Sequence, residues 1–439
     1  MNDPGRALVV GIGSAGEAAA RRLAERGWEV TAVEERPSPA SRSAADALRR
    51  LGVTVREEAA VGPLVAATDI VVPSPGVPLA HPAIQSALAV GTPVWSEFEL
   101  AARWSTRPMV AVTGTDGKTT VTVLIEAMLR ASGMRTVVAG NTEPPLVDVL
   151  DLDLDVLVVE ASSFRLAFTH TFRPTVAVWL NLAADHLDWH GTMAHYRASK
   201  AKIWAFQGPG DVAVANAEDP VVRDEAPPGA TTFGLATGDW RVDGSRLLMP
   251  DGTLLVEAGE LHRDLPHDRA NALAAAAAAL AAGATPDGIR SGLRQFRGLP
   301  HRVALVGEHA GVSYYDDSKA TAPHAALAAI RGFESVVLLA GGRNKGLDLS
   351  ELAAEAGRVR AVIALGESAD DVERAFLLTG VPVIHAPSMD AAVALARAEA
   401  RPGDAVLLSP GCASFDWYRN YAERGDDFAR AVRALLDAA

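Results

Sequence analysis

The chain has 439 residues, of which 49% are hydrophobic and 22% charged, and its formal net charge is −13. That length predicts two to four domains, and the apolar content excludes global disorder. The negative charge argues against a general nucleic-acid or anionic-membrane binder, although a local cluster of glycines and lysine can still bind an anionic substrate. The single cysteine, Cys412, excludes an internal disulfide and any multi-cysteine metal site.

The first hundred residues alternate strand and helix signals, which predicts parallel β-α-β units. Apolar runs at Ala7–Gly11 and Glu29–Val33 flank a helix with an alanine and leucine face over Ala15–Arg26. A further strand is predicted at Asp69–Val72, before the turn Ser74-Pro-Gly-Val-Pro78.

The glycine cluster Gly11-Ile-Gly-Ser-Ala-Gly16 has the spacing of a dinucleotide-binding turn, and acidic Glu34 and Glu35 follow the next strand. NAD is one candidate ligand, and the alternative is a turn that accepts another anion. A second phosphate loop downstream disfavours NAD, because hydride transfer needs no separate ATP site. A ligase that joins two substrates, by contrast, needs one site for a nucleotide and another for an anionic substrate.

The strongest chemical signal is Gly114-Thr-Asp-Gly-Lys-Thr119, which follows an apolar strand at Met109–Thr113 and opens a helical segment. Glycines let backbone N–H groups approach phosphates, Lys118 can meet the outer phosphates, and Thr119 can hold Mg²⁺. We expect Lys118 in an exposed loop. Val112 replaces the first glycine of the full motif, so an ordinary strand–turn–helix connection remains the alternative to an ATP site.

Polar residues follow the next two predicted strands. The strands Asp155–Val159 and Thr175–Leu180 end in Glu160 and Asn181, at the edge where open α/β sheets bind ligands. Glu160 suits Mg²⁺, because this cation prefers oxygen ligands.

His186, in the segment Asp185-His-Leu-Asp188, could ligate a second metal or bind a carboxylate. The alternative is a solvated loop with a histidine that has no such role, and the location after a strand and a phosphate loop favours the functional interpretation. Spacing alone would leave Lys200 as a solvated helix residue.

The rest of the chain returns to the alternating pattern after an irregular stretch. Residues 206–266 predict short strands with turns, and an alanine-rich segment over 270–284 predicts a packed helix that is not a membrane span. Strands are then predicted at Ser335–Leu339, Val359–Leu365 and Ala405–Leu408. We therefore predict three α/β domains, 1–106, 107–299 and 300–439. With no leader signal at the N-terminus, we expect a cytoplasmic protein.

Three polar segments lie at or after strand ends in the last third: Asp316–Thr321, Gly341–Gly346 and Ser409–Asp416. Their cations and hydroxyls suit a small carboxylate substrate. Cys412 as a nucleophile is disfavoured, because no histidine partner is indicated and buried small cysteines are common.

Together these motifs resemble the Mur amide ligases of bacterial cell-wall synthesis, and the match runs nearly end to end. The matching segments are Ser74–Pro78, Gly114–Thr119, Glu160–Phe164, Asp185–Asp188, Gly298–Arg302, Asp317–Thr321, Leu408–Ser414 and Arg424–Phe428. The resemblance implies a three-domain α/β architecture with a Rossmann-like N-terminal domain, a central P-loop ATPase-like domain and a Rossmann-like C-terminal domain. The turn at 74–78 and the segment at 408–414 favour the member of the family that adds D-glutamate.

The resemblance also implies the site residues. The N-terminal domain would bind the uridine diphosphate end of its substrate through Ser14, Glu34, Arg36, Ser74, Asn141 and Ser162. ATP would be bound by Gly114, Thr115, Asp116, Gly117, Lys118, Thr119, Thr120, Asn271, Arg302 and Asp317. The amino acid would be bound by Lys319, Thr321, Lys345, Ser414, Phe415 and Tyr421. The catalytic residues would be Lys118, Glu160, His186 and Lys200. Metal would be held by Thr119, Glu160, His186 and Lys200, the last as a carbamate.

Some positions depart from the family pattern. Asp268 and Ala322 stand where asparagines are expected, Glu143 replaces a glycine, and Arg165 stands where glutamine is common. These departures concern the adenine and UDP edges of the site.

The implied reaction is ATP- and Mg²⁺-dependent addition of D-glutamate to UDP-N-acetylmuramoyl-L-alanine, through an acyl phosphate, by a monomer. The alternatives are a sister ligase or a folylpolyglutamate-type synthetase with another amino acid, and a non-catalytic UDP-sugar sensor. Intact Lys118, Glu160 and His186 argue against the sensor.

Overall fold

The computed structural model describes residues 4–57 and 61–437. The predicted first and third domains also include positions 1–3, 58–60 and 438–439, which lie outside the described residues. The described chain builds three mainly parallel sheets with helices between the strands, so the predicted α/β class is confirmed. No helix in this part of the chain is long and apolar enough to cross a membrane.

The first sheet has the parallel order β3-β2-β1-β4. Its strands are β1 (Arg6–Val10), β2 (Glu29–Val33), β3 (Thr54–Arg56) and β4 (Ile70–Pro73), and its helices are α1 (Ser14–Glu25), α2 (Pro39–Arg50), α3 (Val61–Ala66), α4 (Pro82–Val90) and α5 (Glu97–Trp104). The continuous apolar run of β1 is buried from Ala7 to Val10, as expected for a parallel strand covered on both faces.

The central sheet is parallel in the order β10-β9-β8-β5-β7-β6, and a small antiparallel sheet, β11-β12-β13, follows it. The strands are β5 (Met109–Thr113), β6 (Thr136–Gly140), β7 (Val156–Glu160), β8 (Val176–Trp179), β9 (Val212–Asn216), β10 (Thr231–Phe233), β11 (Arg241–Asp243), β12 (Arg246–Leu248) and β13 (Leu254–Glu257). The helices in this stretch are α6 (Lys118–Ala131), α7 (Ser163–Ala167), α8 (Leu187–His190), α9 (Met193–Ala201), α10 (Pro220–Glu225), α11 (Pro266–Ala281) and α12 (Pro286–Gln295).

The third sheet has the order β14-β15-β19-β16-β17-β18, with β14 as its antiparallel edge. Its strands are β14 (Ala304–His309), β15 (Val312–Asp316), β16 (Val336–Gly341), β17 (Val359–Leu365), β18 (Val383–Ala386) and β19 (Ala405–Leu408), and its helices are α13 (Pro323–Ile330), α14 (Ala369–Phe376), α15 (Met389–Glu399) and α16 (Tyr421–Asp437). Short 3₁₀ helices occur at Leu146–Asp148, Ala258–Glu260 and Leu349–Arg358.

The predicted alanine-rich helix is α11, which starts at Pro266, four residues before the predicted start. Residues 272–279, seven alanines and Leu273, are all buried and pack in a core with β5, β7 and α6. The helix ends at Ala281, before the left-handed Gly283 at φ +98°. That conformation suits glycine and stops the helix before the predicted end.

Contacts divide the described chain into two compact units. The first includes the described residues through Leu182, with Trp189–Leu261 and Arg269–Phe296; the second has Ala183–Asp188, His262–Asp268 and everything described from Arg297 onward. The first unit therefore contains both the first and the central sheet.

The first two sheets share one hydrophobic core, which includes Val9 and Val72 of the first sheet and Ala111 and Val159 of the central sheet. Charged pairs also connect them. Arg21 on α1 contacts Asp148 at 2.8 Å, and Arg165 on α7 contacts Glu97 on α5 at 2.7 Å. The fully buried carboxylate of Glu99 also accepts hydrogen bonds from the backbone N–H groups of 170 and 171.

Candidate functional site

The phosphate loop joins β5 to α6, with Gly117 as the N-cap of the helix. Gly117 has φ +83°, and a Cβ atom there would lie 2.7 Å from Oδ1 of Asn271. Glycine is therefore required by both backbone conformation and space. Gly117 has no side chain to cover the first turn of α6, which includes Lys118, Thr119 and Thr120. An anion can therefore approach the positive end of the helix dipole there.

Asn181 organises this loop, a role that was not predicted from the sequence. Its Oδ1 accepts hydrogen bonds from the N–H groups of Thr115 at 2.9 Å and Asp116 at 2.8 Å, and its Nδ2 donates to the Asp116 carbonyl at 3.3 Å. The position of Asn181, just past β8, was the available signal. One amide side chain thus fixes the backbone before the helix starts.

Two lysines converge on the carbonyl oxygen of Gly114. Lys118 Nζ donates to it at 2.9 Å and to the Thr115 carbonyl at 2.8 Å, and Lys200 Nζ donates to the Gly114 carbonyl at 2.6 Å. The expectation of an exposed loop for Lys118 was wrong, because the residue begins α6 and is half-buried. Lys200 on α9 is only 1% exposed, so the solvated position that spacing alone suggested was also wrong.

An aromatic side chain accompanies Lys200. The ammonium lies 4.5 Å from the ring centroid of Tyr196, and the Tyr196 hydroxyl is 3.2 Å from Oγ1 of Thr115. The geometry allows a cation–π contact. Tyr196, which carried no predicted role, thereby links the lysine to the phosphate loop.

Glu160 is the last residue of β7, where it pairs in register with Val112 of β5. Its Oε1 accepts a hydrogen bond from Asn141 Nδ2 at 2.8 Å, and its Oε2 accepts one from Thr142 Oγ1 at 3.2 Å. The side chain is buried at the edge of the sheet that carries the phosphate loop. The carboxylate of Glu160 and the hydroxyl of Thr119, in the first turn of α6, are oxygen ligands of the kind that Mg²⁺ prefers.

The residues predicted to bind UDP fall into two groups. Ser14, Glu34, Arg36 and Ser74 lie at the carboxyl ends of the strands of the first sheet. The Ile12 N–H donates to Glu34 Oε2 at 3.0 Å, and the Arg36 N–H donates to Glu34 Oε1 at 3.0 Å. The acidic residue of the dinucleotide motif thus holds its own glycine turn.

Asn141 and Ser162, the other two residues predicted to bind UDP, belong to the central sheet. Asn141 contacts Glu160, and Ser162 is the N-cap of α7. Arg165 follows on α7 and is buried against Glu97, an acid for which no role was predicted. Burial raises the pKa of Glu97, and the neighbouring guanidinium of Arg165 opposes that increase.

A narrow cleft within the first unit adjoins both groups of residues that are predicted to bind UDP. Ala15 and Ser74 line it from the first sheet, and Phe164, Arg165 and Trp189 line it from the other side. The cleft therefore starts at the N-terminus of α1 and reaches the segment that follows Glu160.

His186 lies in the segment Ala183–Asp188, which belongs to the second unit. Its backbone is left-handed at φ +53°, and its Nε2 is 3.3 Å from Oδ2 of Asp185. The left-handed conformation is uncommon for a residue other than glycine and occurs often at functional sites.

In the second unit, Asp317 follows β15 and is fully buried. Its Oδ2 accepts a hydrogen bond from Ser409 Oγ at 2.7 Å, and its Oδ1 accepts one from the Val303 N–H at 3.3 Å. Burial raises the pKa of this carboxyl to about 7, against the opposing charge of Arg302. The two residues predicted for adenosine are thus electrostatically linked.

The residues predicted to bind the amino acid lie on neighbouring turns of the third sheet. Arg343 pairs with Ala413 in an isolated bridge, which places the turn carrying exposed Lys345 beside the turn carrying buried Ser414. Thr321 precedes α13, and Phe415 is 60% exposed. Lys319 Nζ lies 5.5 Å from the ring centroid of Tyr421.

Buried Arg424 ties these segments together, although no role was predicted for it. It donates from Nη2 to the carbonyls of Ser318 at 2.9 Å and Cys412 at 3.1 Å, and from Nε to Ser318 Oγ at 2.9 Å. Burial raises the pKa of the Cys412 thiol to about 11. The thiol is therefore protonated at neutral pH.

One departure from the family pattern has a local explanation. Asp268 accepts two hydrogen bonds from Arg263, both at 2.7 Å. The same guanidinium donates to the carbonyls of Arg302 and Val303. Asp268 therefore forms a bidentate ion pair that an asparagine could not form.

Known proteins match every part of this architecture. Three family models match: a MurD-like N-terminal domain of Mur ligases over residues 5–96, the Mur ligase middle domain over 112–279, and the glutamate ligase domain of Mur ligases over 301–412. Among solved structures, a pseudomurein peptide ligase type C from Methanothermus fervidus superimposes with a TM-score of 0.62 at 18% identity, covering 99% of both chains. A MurF ligase from Thermotoga maritima in complex with ADP also gives 0.62 at 18% identity, covering 93% of this chain and 96% of that one.

Sequence relatives are closer. A protein of Frankia casuarinae named UDP-N-acetylmuramoylalanine–D-glutamate ligase is 46% identical over 97% of this chain and 93% of its own. A protein of the same name from Thermobifida fusca is 42% identical over 98% of both chains. With this identity over nearly the full length, and with all three domain models matched, the chain belongs to the Mur ligase family.

Proposed function

We propose that the chain catalyses the ATP-dependent addition of D-glutamate to UDP-N-acetylmuramoyl-L-alanine in peptidoglycan precursor synthesis. The observation that carries this proposal is the phosphate loop with Lys118, Lys200 and buried Glu160 at one edge of the central sheet, in a chain 46% identical to a relative with that name.

In the proposed reaction, an oxygen of the alanyl carboxylate attacks the γ-phosphorus of ATP, and ADP leaves. The resulting acyl phosphate is attacked by the free amine of D-glutamate, and phosphate leaves as the amide bond forms. Lys118 and the N-terminus of α6 offset the charge on the transferring phosphoryl group. Glu160 and Thr119 would hold Mg²⁺, which supplies further charge neutralisation at the phosphates.

The first glycine turn would hold the pyrophosphate of the UDP substrate at the N-terminus of α1. For the remaining site residues we propose the roles that the resemblance implies, including a carbamate on Lys200 and D-glutamate binding by Lys345 and Ser414. We also propose domain boundaries at 106/107 and 299/300, a monomer, and the cytoplasm as the location, because ATP and UDP-linked precursors are available there.

The decisive experiment measures phosphate release by the purified chain against a panel of UDP-muramoyl acceptors and amino acids. We expect release only with UDP-N-acetylmuramoyl-L-alanine, D-glutamate and Mg·ATP together. Release that depends on another amino acid would instead identify a sister or folylpolyglutamate-type ligase. No release with any combination would favour a UDP-sugar sensor.

A further inference from the structure

We propose that Arg165, paired with Glu97, is a positioning residue that fixes the Asn141 amide and, through it, the Glu160 carboxylate. The inference rests on the proposed function, in which Glu160 holds the metal. Arg165 departs from the glutamine common in the family, and the structure gives this departure a geometric consequence.

Four side chains form one continuous chain of hydrogen bonds. Arg165 Nε donates to Glu97 Oε1 at 2.7 Å, and Arg165 Nη1 donates to Asn141 Oδ1 at 3.1 Å. Asn141 Nδ2 then donates to Glu160 Oε1 at 2.8 Å. The backbone N–H of Asn141 also donates to the Glu160 carbonyl at 2.9 Å, so Asn141 is held on both sides.

The orientation of the Asn141 amide follows from donor and acceptor chemistry. A guanidinium has only donors, so Asn141 must turn its oxygen towards Arg165. Its NH₂ group then necessarily faces Glu160, and the carboxylate accepts from it. The reverse orientation would place NH₂ against the guanidinium and two oxygens against each other. Glutamine at position 165 has both a donor and an acceptor, so only the Glu160 carboxylate would then select the orientation of the Asn141 amide.

The negative charge of Glu97 offsets the positive charge of Arg165, so the guanidinium can lie near the proposed Mg²⁺ site. Arg165 is 8% exposed and Glu97 is 3% exposed, and their ion pair cancels the positive charge locally. A buried ion pair contributes little net stability compared with apolar residues of the same volume, because desolvation offsets the attraction. Such a pair is better explained by the geometry that it imposes than by the stability that it adds.

The test compares Arg165→Met with Arg103→Met as the matched control. Arg103 also pairs with a buried carboxylate, Glu99 at 2.8 Å, and stacks 4.0 Å from the Trp95 ring, but it has no bond to Asn141. Mn²⁺ binding to the purified full chain, in the presence of a non-hydrolysable ATP analogue, is measured by electron paramagnetic resonance. Mg²⁺ activation of ligation and the KM for UDP-N-acetylmuramoyl-L-alanine are measured in parallel.

We expect Arg165→Met to weaken Mn²⁺ binding about tenfold and to raise the Mg²⁺ concentration for half-maximal activity by a similar factor. The KM for the UDP substrate should change less than Mn²⁺ binding does, although Asn141 is itself a proposed contact of that substrate. Arg165→Gln should fall between Met and the parent chain, because its amide can still donate to Asn141. Arg103→Met should leave Mn²⁺ binding unchanged. If Arg165→Met does not fold, Glu97→Gln, which loosens the same guanidinium, is measured instead.

Unchanged Mn²⁺ binding with a raised KM for the UDP substrate would overturn the proposal and make Arg165 a substrate contact. Equal losses in Arg165→Met and Arg103→Met would also overturn it, since the role would then be structural only. The Mn²⁺ measurement needs no ligation. Failure of the proposed function therefore shows as an inactive parent chain, separately from any change in metal binding.

Discussion

The molecule carries two glycine turns that lead from a parallel strand into a helix N-terminus, and they are built differently. In the first, Gly16 packs so closely that a Cβ atom would lie 2.0 Å from the Gly11 carbonyl, and Glu34 binds the turn itself. The second adds two lysines at the Gly114 carbonyl. In the proposed reaction, the first turn would hold the UDP pyrophosphate, whose charge stays constant, whereas the second would hold a phosphoryl group whose charge moves.

The largest expected difference between the two turns is the loss of turnover on substitution of Lys118. Lys118→Ala should lower turnover by about 10²- to 10³-fold, because it removes a positive charge from the transferring phosphoryl group. Phosphate release with all substrates measures this. Lys202→Ala is the matched control, since Lys202 is another partly buried lysine that donates to two backbone carbonyls, those of residues 167 and 169. Near-normal ligation by Lys118→Ala would refute the phosphate role.

Substitution of Lys200 on α9, the second lysine at the Gly114 carbonyl, tests the proposed carbamate. Lys200→Ala should lose on the order of 100-fold or more in activity, because a charged group beside the metal is removed. Acetate or formate in the buffer should restore part of it by replacing the missing carboxylate. The rate is measured against acid concentration, with chloride at equal ionic strength as the control. Retained activity, or no rescue, would exclude the carbamate.

The first turn is tested at Gly13, whose backbone at φ −64° suits any residue and whose Cβ atom would meet nothing closer than Ser74 Oγ at 3.6 Å. Gly13→Val should therefore fold normally. It should weaken binding of the UDP substrate on the order of 100-fold, because it blocks backbone donors from a charged pyrophosphate. Calorimetry measures this binding, and ATP binding should be unchanged.

Two controls accompany the Gly13 variant. Gly16→Ala should disturb the fold itself, because its Cβ atom has no space, and thermal unfolding measures that difference. NAD and NADP should not bind the parent chain at millimolar concentration. Tight NAD binding that Gly13→Val abolishes would contradict the UDP assignment of the first domain.

The smallest effect is expected at Glu34. Glu34→Ala removes the acceptor of the Ile12 N–H, a hydrogen bond worth about 1 kcal/mol, or about fivefold in affinity. The KM for the UDP substrate should rise by that factor, and the KM for ATP should not change. Glu34→Gln keeps an oxygen acceptor and should change less. A larger effect on ATP than on the UDP substrate would contradict the separation of the two turns.

Most of the fold could be predicted from the sequence, because buried parallel strands are continuous apolar runs. Glu29–Val33, Met109–Thr113 and Val359–Leu365 have the predicted bounds, residue for residue. The predicted organisation in three α/β parts and the family are also confirmed. The packing of the first two sheets as one unit was not predictable, because pairs such as Arg21–Asp148 join residues 127 positions apart.

The motifs of the candidate site were predicted from the sequence, but the hydrogen bonds that connect them were not. The phosphate loop and Glu160 carry local signals, a glycine turn and a strand end. Asn181 also follows a strand end, but its hydrogen bond with the loop and that of Glu97 with Arg165 join residues 65 and 68 positions apart, for which no local signal exists. The predicted roles of individual site residues remain predictions until the variants are measured.

The run of small residues in α11 has a consequence for which sequences can replace it. Residues 272–279 are buried, so the helix lies close against its neighbours and leaves no room for added methylene groups. Alanine is ordinarily the residue that tolerates exchange best on a helix surface. In α11, however, the alanines are buried, so we expect their replacement by larger residues to be among the rarest substitutions in this chain during evolution.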